Sequence, residues 1–278
     1  MKLRDARTAA FTLIELLVGM AMMGVIMAAL VAYFSQSSRI SAQSSSRAEL
    51  QQEVLNAQQL IAGKLKEAWY VYPPGQAIAM VSTNAPTSRN PVTENQNWTV
   101  GTHPILAMIL PPTVVTVSCA SNTDGCYRFL AYYPVKRSVW VSGTSATSWR
   151  NPGPDGINGD AWILAEYRAN MPSTFAPSGF PPSPVPTVPS TGEANILSDY
   201  VAPTVTTTGF TTAANTYTLF TYAAANGSTP TATNPVSSVT INLAVARQSR
   251  GTLLRLPNGT DEYGTTVFPS NLGRVATN

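Results

Sequence analysis

Hydrophobic residues form one unbroken run near the start of the chain. Between Phe11 and Phe34 there are 24 residues, and only Glu15 among them is charged. At a rise of about 1.5 Å per residue, such a helix extends about 36 Å, enough to cross the hydrocarbon core of a bilayer. The pattern therefore predicts a transmembrane helix over residues 11–34.

A helical pattern continues beyond this run. Apolar residues recur at intervals of three and four, at Leu50, Val54, Ala57, Ile61, Leu65 and Ala68. Polar residues take the other faces, at Arg47, Gln51, Gln52, Gln58, Gln59 and Lys66. This spacing predicts an amphipathic helical continuation over residues 35–72 that ends at about Trp69, ahead of Pro73 and Pro74. The serine-rich stretch 35–46 is its weak point, where a flexible break is the alternative.

The rest of the chain has a different pattern. All 22 prolines fall after residue 72, and short apolar or alternating runs are separated by turn residues. This is typical of an antiparallel sheet, and it predicts an exported β-rich globular domain over residues 73–278. The predicted strands are 105–110, 114–118, 127–133, 139–142, 162–167, 217–222 and 239–246. The fold class is therefore α+β, with a long N-terminal helix packed on an antiparallel β-sheet domain with long loops.

Two segments of this domain do not read as regular strands. Residues 172–189 hold seven prolines, which exclude a regular ladder and predict a surface loop with polyproline character. Residues 204–233 hold thirteen serines or threonines, and a strand region, a solvated loop and a glycan-bearing surface all remain open.

The charge of the chain changes the picture little. The net charge is +3, from 17 basic and 14 acidic residues. The first ten residues hold three basic and one acidic residue, so the remainder carries 14 basic and 13 acidic residues. DNA is thus a possible partner that the net charge does not support.

The two cysteines, Cys119 and Cys126, enclose a short polar loop. In an exported domain this spacing predicts a disulfide, which would stabilise the fold by about 2 to 3 kcal/mol on the chain-entropy model. Two free buried thiols are the alternative. A zinc site is excluded because the one histidine, His103, lies far away.

Candidate chemistry is otherwise sparse. His103 lies beside Pro104 and has no nucleophile in a recognisable spacing, and no phosphate-binding glycine loop, paired acid motif or HExxH is present. The sequence thus predicts no enzyme and no cofactor. A weak calcium candidate remains at Asp155, Asn158 and Asp160 on a glycine-rich loop, although Asp and Asn are also ordinary turn residues. Five aromatic residues are predicted to pack in the core or between helix and sheet: Trp69, Tyr70, Tyr72, Trp140 and Trp149.

The order of features at the N-terminus is unusual for a secretory signal. The basic start is followed by the small residues of Thr8-Ala9-Ala10, and the apolar run comes only after them, whereas ordinary signals place the small-residue site after the apolar core. The segment RTAAFTLIELLVG at 7–19 resembles the class III signal of type IV prepilins. The resemblance implies that a prepilin peptidase removes residues 1–10 by cutting between Ala10 and Phe11, and then methylates the Phe11 amine.

The same resemblance implies roles inside the helix. Glu15 would pair with the Phe11 amine of a neighbouring subunit during assembly, and Gly19 and Gly24 would offer small surfaces for helix packing. The alternative for Glu15 is a snorkelling side chain in a plain signal anchor. The implied location is the bacterial inner membrane, single-pass with an exported C-terminal domain, and then a pilus or pseudopilus in the periplasm or at the cell surface.

Two details bear on the subtype. Ala10 stands where most prepilins have Gly, and Val31-Ala32-Tyr33 stands where many major pilins carry a proline. The order of apolar strands is similar to that of PilW-type minor pilins and GspJ-type pseudopilins. The resemblance implies a minor pilin that initiates or tips a type IV pilus in adhesion, twitching motility or DNA uptake, with other pilins and the peptidase as partners. A type II secretion pseudopilin and a membrane-anchored adhesin are the alternatives.

Overall fold

The computed structural model describes residues 12–81, 85–120, 122–189, 191–202, 218–249, 252–259 and 261–274. The chain divides into two compact units, Met1–Glu49 and Leu50–Asn278.

Helix α1 runs unbroken from Leu13 to Glu67. The predicted alternative of a break in the serine-rich stretch is wrong, because 35–46 contains neither proline nor glycine and stays helical. Ser35 bonds back to the carbonyl of Ala32, its Oγ lying 2.8 Å from that oxygen, so its hydroxyl does not interrupt the helix. The helix ends just before the predicted residue because the amide of Trp69 donates to the carbonyl of Ile109, 2.8 Å away, and so enters the sheet.

Within the described residues, twelve strands and one short α-helix follow α1. Their bounds are β1 Tyr70–Val71, β2 Ala77–Ala79, β3 Asn97–Thr99, β4 Leu106–Leu110, β5 Arg128–Lys136, α2 Arg137–Gly143, β6 Trp162–Asn170, β7 Glu193–Val201, β8 Phe220–Ala224, β9 Val236–Leu243, β10 Val245–Ser249, β11 Thr252–Leu256 and β12 Tyr263–Val267. A seven-stranded antiparallel sheet has the order β1-β4-β5-β6-β7-β10-β11, a three-stranded sheet has the order β12-β9-β8, and β2 pairs with β3. The predicted α+β, pilin-like fold class is confirmed.

Two hydrophobic cores lie on the two faces of the large sheet. Alternate residues of β5 supply them, since Leu130 and Tyr132 join the core under α1, while Phe129 and Tyr133 join an aromatic core on the other side. The helix residues predicted to face the sheet are all at most 3% exposed: Leu50, Val54, Ala57, Ile61, Leu65 and Ala68. Gln58, predicted to take a polar face, is instead buried at 5% exposure.

Two predicted strands are wrong. Residues 114–118 form turns, because Thr113 and Val114 both donate their amides to the Asp124 carbonyl and fold this segment against the cysteine loop. Residues 139–142 belong to helix α2. A helical turn brings Arg137 and Trp140, three residues apart, into the interior together, which an extended strand would not.

Two other strand predictions need new bounds. The predicted strand 239–246 is divided at Ala244 into β9 and β10, which belong to different sheets. Strand β8 begins at Phe220, and Tyr217, where the prediction began, lies outside the described residues.

The proline-rich segment 172–189 contains no strand, as predicted, but it is more than a surface loop. The rings of Phe175 and Phe180 lie edge-on to Trp69, with centroids 6.2 and 6.1 Å away, and the Tyr72 hydroxyl donates to the Pro186 carbonyl at 3.1 Å. The segment therefore covers the aromatic core. Of the five aromatic residues assigned to packing, Trp149 is the exception, since it is 83% exposed.

Candidate functional site

The first turn of α1 is closed by a capping box between Thr12 and Glu15. The amide and hydroxyl of Thr12 both donate to Glu15 Oε2, at 3.0 and 2.9 Å, and the Glu15 amide lies 3.4 Å from Thr12 Oγ1. Such an exchange satisfies amides that a helix start leaves without partners. This role was not predicted, although the T-x-x-E spacing that signals it is present in the sequence.

Apart from Thr12, the helix surface around Glu15 is apolar. Residues 12–34 are exposed throughout, with Leu13 at 82%, Met20 at 71% and Phe34 at 66% exposure. By length and composition α1 is able to cross a membrane, a test that a signal sequence also passes. Among the described residues, no cation forms an ion pair with Glu15. The carboxylate is thus a single negative charge on a helix surface that suits lipid or another apolar helix.

The other predicted residues of this segment are less informative in a single chain. A Cβ added at Gly19 or Gly24 would meet none of the described residues within 4 Å, so no contact with that part of the chain requires glycine there. Their role in packing between subunits stays a prediction. Ala10 and Phe11 lie outside the described residues, and their cleavage and methylation stay predictions as well.

Cys119 and Cys126 are joined as a disulfide in the structure, with their Cα atoms 4.4 Å apart. The pair closes the loop that carries a 3₁₀ turn at Thr123–Gly125, which Asn122 caps through its side-chain oxygen. A Cβ on Gly125 would lie 2.1 Å from the Val117 carbonyl oxygen, so the two arms of this loop touch and leave no room for a side chain.

The weak calcium candidate has other uses for its oxygens. Asp155 Oδ1 accepts the amides of Ile157 and Asn158, and its Oδ2 accepts the Asn158 side chain at 2.9 Å and the Tyr200 hydroxyl at 3.2 Å. Asn158 also exchanges two hydrogen bonds with the backbone of Gln248 in β10. Asp160 forms no hydrogen bond to either residue in the described part of the chain. These hydrogen bonds join the turn at Asp155 and Asn158 to strand β10.

A polar junction that was not predicted lies beside this loop. Arg137 Nε donates to both carboxylate oxygens of Asp199, at 3.0 and 3.2 Å, and its other nitrogens donate to the carbonyls of Pro152 and Gly153. From α1, Glu53 Oε1 accepts the Asp199 amide at 2.6 Å. The junction therefore fastens the second part of α1 to β7. Glu53 and Asp199 are 146 residues apart in the sequence, so no local pattern predicted their contact.

The pKa of Glu53 yields a testable prediction. Burial raises the pKa of its carboxyl above 4.5, and the nearby Asp199 charge adds to the rise. A raised folded-state pKa gives stability that is complete below pH 4.5 and is lost as the pH rises through the folded-state value. Glu53→Gln keeps the acceptor for the Asp199 amide but removes the charge. It should therefore raise the urea midpoint of the purified protein at about pH 7 and leave it unchanged near pH 4.

The matched control is Glu49→Gln, an exposed position on the same helix, which should leave the midpoint unchanged at both pH values. A Glu53→Gln protein that is less stable than the wild type at about pH 7 but equally stable near pH 4 would mean that the charge itself, and not only the acceptor, holds the junction together.

Comparison with known proteins bears on the N-terminal segment. Residues 5–31 match the family model described as the prokaryotic N-terminal methylation motif. This is the class III signal peptide of type IV pilin-like proteins, and the resemblance drawn from the sequence is confirmed at that level. The match includes Ala10, Phe11, Glu15, Gly19 and Gly24. No curated protein and no solved structure matches the chain.

Proposed function

We propose that this chain is a structural subunit of a type IV pilus, a minor pilin that acts in initiation or at the tip. The observation that carries the proposal is the methylation motif at residues 5–31, followed directly by an exposed apolar helix with one carboxylate in its first turn. Proteins with this motif are structural subunits, and an apolar N-terminal helix fits a membrane-anchored pilin.

The assembly step follows from the chemistry of that first turn. Cleavage before Phe11 would create an amine, which carries a positive charge at neutral pH. In the structure Thr12 uses only one oxygen of Glu15, Oε2, so Oε1 is available to the amine of a neighbouring subunit. Pairing neutralises both groups as the helix leaves the membrane for a protein core, and the contact sets the axial position of each subunit.

A minor pilin is favoured over a major one by the course of α1. The helix passes through Val31 and Tyr33 without a break, at the place where many major pilins carry a proline. The partners in this proposal are other pilins, contacted through α1, and the prepilin peptidase. A type II secretion pseudopilin carries the same kind of signal and is the nearest alternative. A surface adhesin that does not polymerise would need neither the cleavage nor Glu15.

Processing is the first testable consequence. Mass spectrometry of the membrane-extracted protein should show a chain that begins at Phe11 with a methylated amine. Because the peptidase requires a small residue before the cut, Ala10→Leu should accumulate the uncleaved form, while the control Ala10→Gly should be processed fully. A chain that keeps Met1, or one cut beyond Phe34 to release a soluble domain, would contradict the proposal.

The cellular location separates the alternatives within the proposal. Antibody against the domain should detect the protein in filaments sheared from the cell surface, and a deletion strain should lose surface pili while type II secretion stays normal. Loss of secretion with intact pili would identify a pseudopilin instead.

A further inference from the structure

Strand β12 forms one edge of the three-stranded sheet, which has the order β12-β9-β8. It pairs with β9 at every position of Tyr263–Val267, without a register shift. The hydroxyls of Thr266 and Thr240 lie 2.9 Å apart, so a side-chain contact also joins the two strands. Within the described residues, no strand pairs with the other side of β12. The strand is therefore a regular edge with one open side.

The open side of β12 presents peptide groups. In β9, the Asn242 amide donates to the Leu219 carbonyl, directly before β8. Because the peptide groups of successive strand residues point to alternate sides, those of Gly264, the residue opposite Asn242, point away from β9. Those of Thr266, two residues later, point the same way. Within the described part of the chain, no backbone group pairs with them. They form a template on which another strand is able to pair.

The other outer strands of the two larger sheets carry features that discourage such pairing. Strand β1 is two residues long, β8 has a register shift at Ala223–Ala224, and β11 contains the buried charge of Arg255. Strand β12 has none of these features. It contains no charged residue and no proline, and residues 264–266 are all exposed. A strand of this kind pairs readily with another chain.

The glycine in the middle of β12 is a second sign of a partner. Glycine weakens a strand, yet the φ of Gly264 lies outside the left-handed region. A Cβ there would contact, among the described residues, only the Asn242 side-chain oxygen, at 3.4 Å. Neither backbone conformation nor packing within this part of the chain therefore requires glycine. A glycine inside a strand often marks a place where another backbone approaches closely.

The two ends of β12 differ in chemistry. Asp261 and Glu262 lie directly before the strand, are exposed, and form no salt bridge within the described residues. Phe268 lies directly after the strand and is 66% exposed. A strand that complements this edge therefore has basic residues at one end and an apolar residue at the other.

We propose that β12 pairs, in antiparallel orientation, with an extended segment of a partner protein that begins with an apolar residue and ends with basic residues. Both pairings of the sheet are antiparallel, and in that orientation the end of the segment lies beside Asp261 and Glu262. Main-chain hydrogen bonds give such strand addition its affinity, and side chains give its specificity. A second copy of β12 complements this edge less well, because it would place Phe268 beside the two acids. The proposal does not rest on the role in pilus assembly.

Binding of short labelled peptides to the full chain in a neutral detergent tests this. The probe is Leu-Thr-Val-Thr-Val-Lys-Lys, whose valine amides face Gly264 and Thr266 in the proposed register. One control peptide ends in two glutamates, and another carries proline in place of both valines and so lacks those amides. The protein should bind the probe about tenfold more tightly than either control. Hydrogen exchange of residues 263–268 should slow with the probe alone.

Variants of the protein test the same contacts from the other side. Thr266→Pro removes an amide on the open side without removing a hydrogen bond to β9, and it should abolish binding of the probe. If this variant does not fold, the double variant Asp261→Lys and Glu262→Lys decides, since it should prefer the peptide that ends in glutamates. Asp124→Lys, an exposed change outside the sheet, should leave the preference of the wild type intact.

Four results would overturn the proposal. The first is no binding of the probe, and the second is equal affinity for the valine and proline peptides. The third is a preference for lysine that survives the double charge reversal. The fourth is a dimer in sedimentation experiments that Thr266→Pro abolishes, because the occupant of the open side would then be a second copy of this chain.

Discussion

Glu15→Val is expected to stop incorporation of the protein into filaments while its exported domain stays folded. The substitution removes a charge from an apolar segment, so membrane insertion should improve. In the filament, however, each neighbouring Phe11 amine would lack its counter-charge, at a cost of several kcal/mol. The protein should be cleaved, remain protease-resistant, be absent from sheared filaments and fail to restore a deletion strain.

The capping box adds a control that this experiment requires. Valine removes both the charge and the hydrogen bonds to Thr12, so Glu15→Val alone does not separate helix capping from subunit pairing. Glutamine keeps the capping geometry but carries no charge. Glu15→Gln should therefore also fail to assemble, whereas Thr12→Ala, which removes the capping hydroxyl and keeps the carboxylate, should assemble. Full rescue by Glu15→Gln would assign Glu15 to capping and favour the plain-anchor alternative.

Gln58→Ala is expected to cause a large loss of stability for a single polar substitution. The Gln58 amide is buried in α1 and donates to the carbonyls of Ile241 in β9 and Tyr263 in β12, so it joins the helix to the three-stranded sheet. Truncation removes two hydrogen bonds, leaves a cavity and should cost about 2 to 4 kcal/mol of unfolding free energy.

Urea unfolding of the purified protein measures this loss. Gln59→Ala, the adjacent exposed position, should change the free energy of unfolding by less than about 0.5 kcal/mol. Gln58→Leu fills the space but donates no hydrogen bond, so it should still be less stable than the wild type. If it matched the wild type, packing volume would be the whole contribution of Gln58.

Hydrophobic periodicity predicted the elements in which buried residues recur at a regular interval along the chain. The five apolar positions within α1, from Leu50 to Leu65, fell on the buried face because each is set by the same 3.6-residue repeat. The rule failed for Gln58, whose burial depends on two carbonyls supplied by distant strands. It failed for Val139 and Val141 because side-chain type favours a strand there, while burial of Arg137 and Trp140 together requires a helical turn.

The features of the candidate site also fall into two kinds. Some are local in the sequence and were predicted, and others depend on contacts between distant residues and were not. The motif around Glu15 is local, so the sequence alone predicted it. The T-x-x-E spacing of the capping box lies within the same motif. The junction of Glu53 with Asp199 depends on how α1 packs against β7, which no local pattern encodes. The disulfide was foreseen because its cysteines lie only seven positions apart in the sequence.

The C-terminal end of α1 is hydrogen-bonded by residues that come about 200 positions later in the sequence. The Ser270 hydroxyl donates to the Lys66 carbonyl, 204 residues away, and the Gly273 amide donates to the Trp69 carbonyl at 2.9 Å. Between them in sequence, Phe175 and Phe180 supply the rings that enclose Trp69. A ribosome makes the helix before any of these residues. The helix end therefore lacks two of its hydrogen bonds until Ser270 and Gly273 have been made, and a chain terminated before Phe175 would display the Trp69 indole to proteases and chaperones.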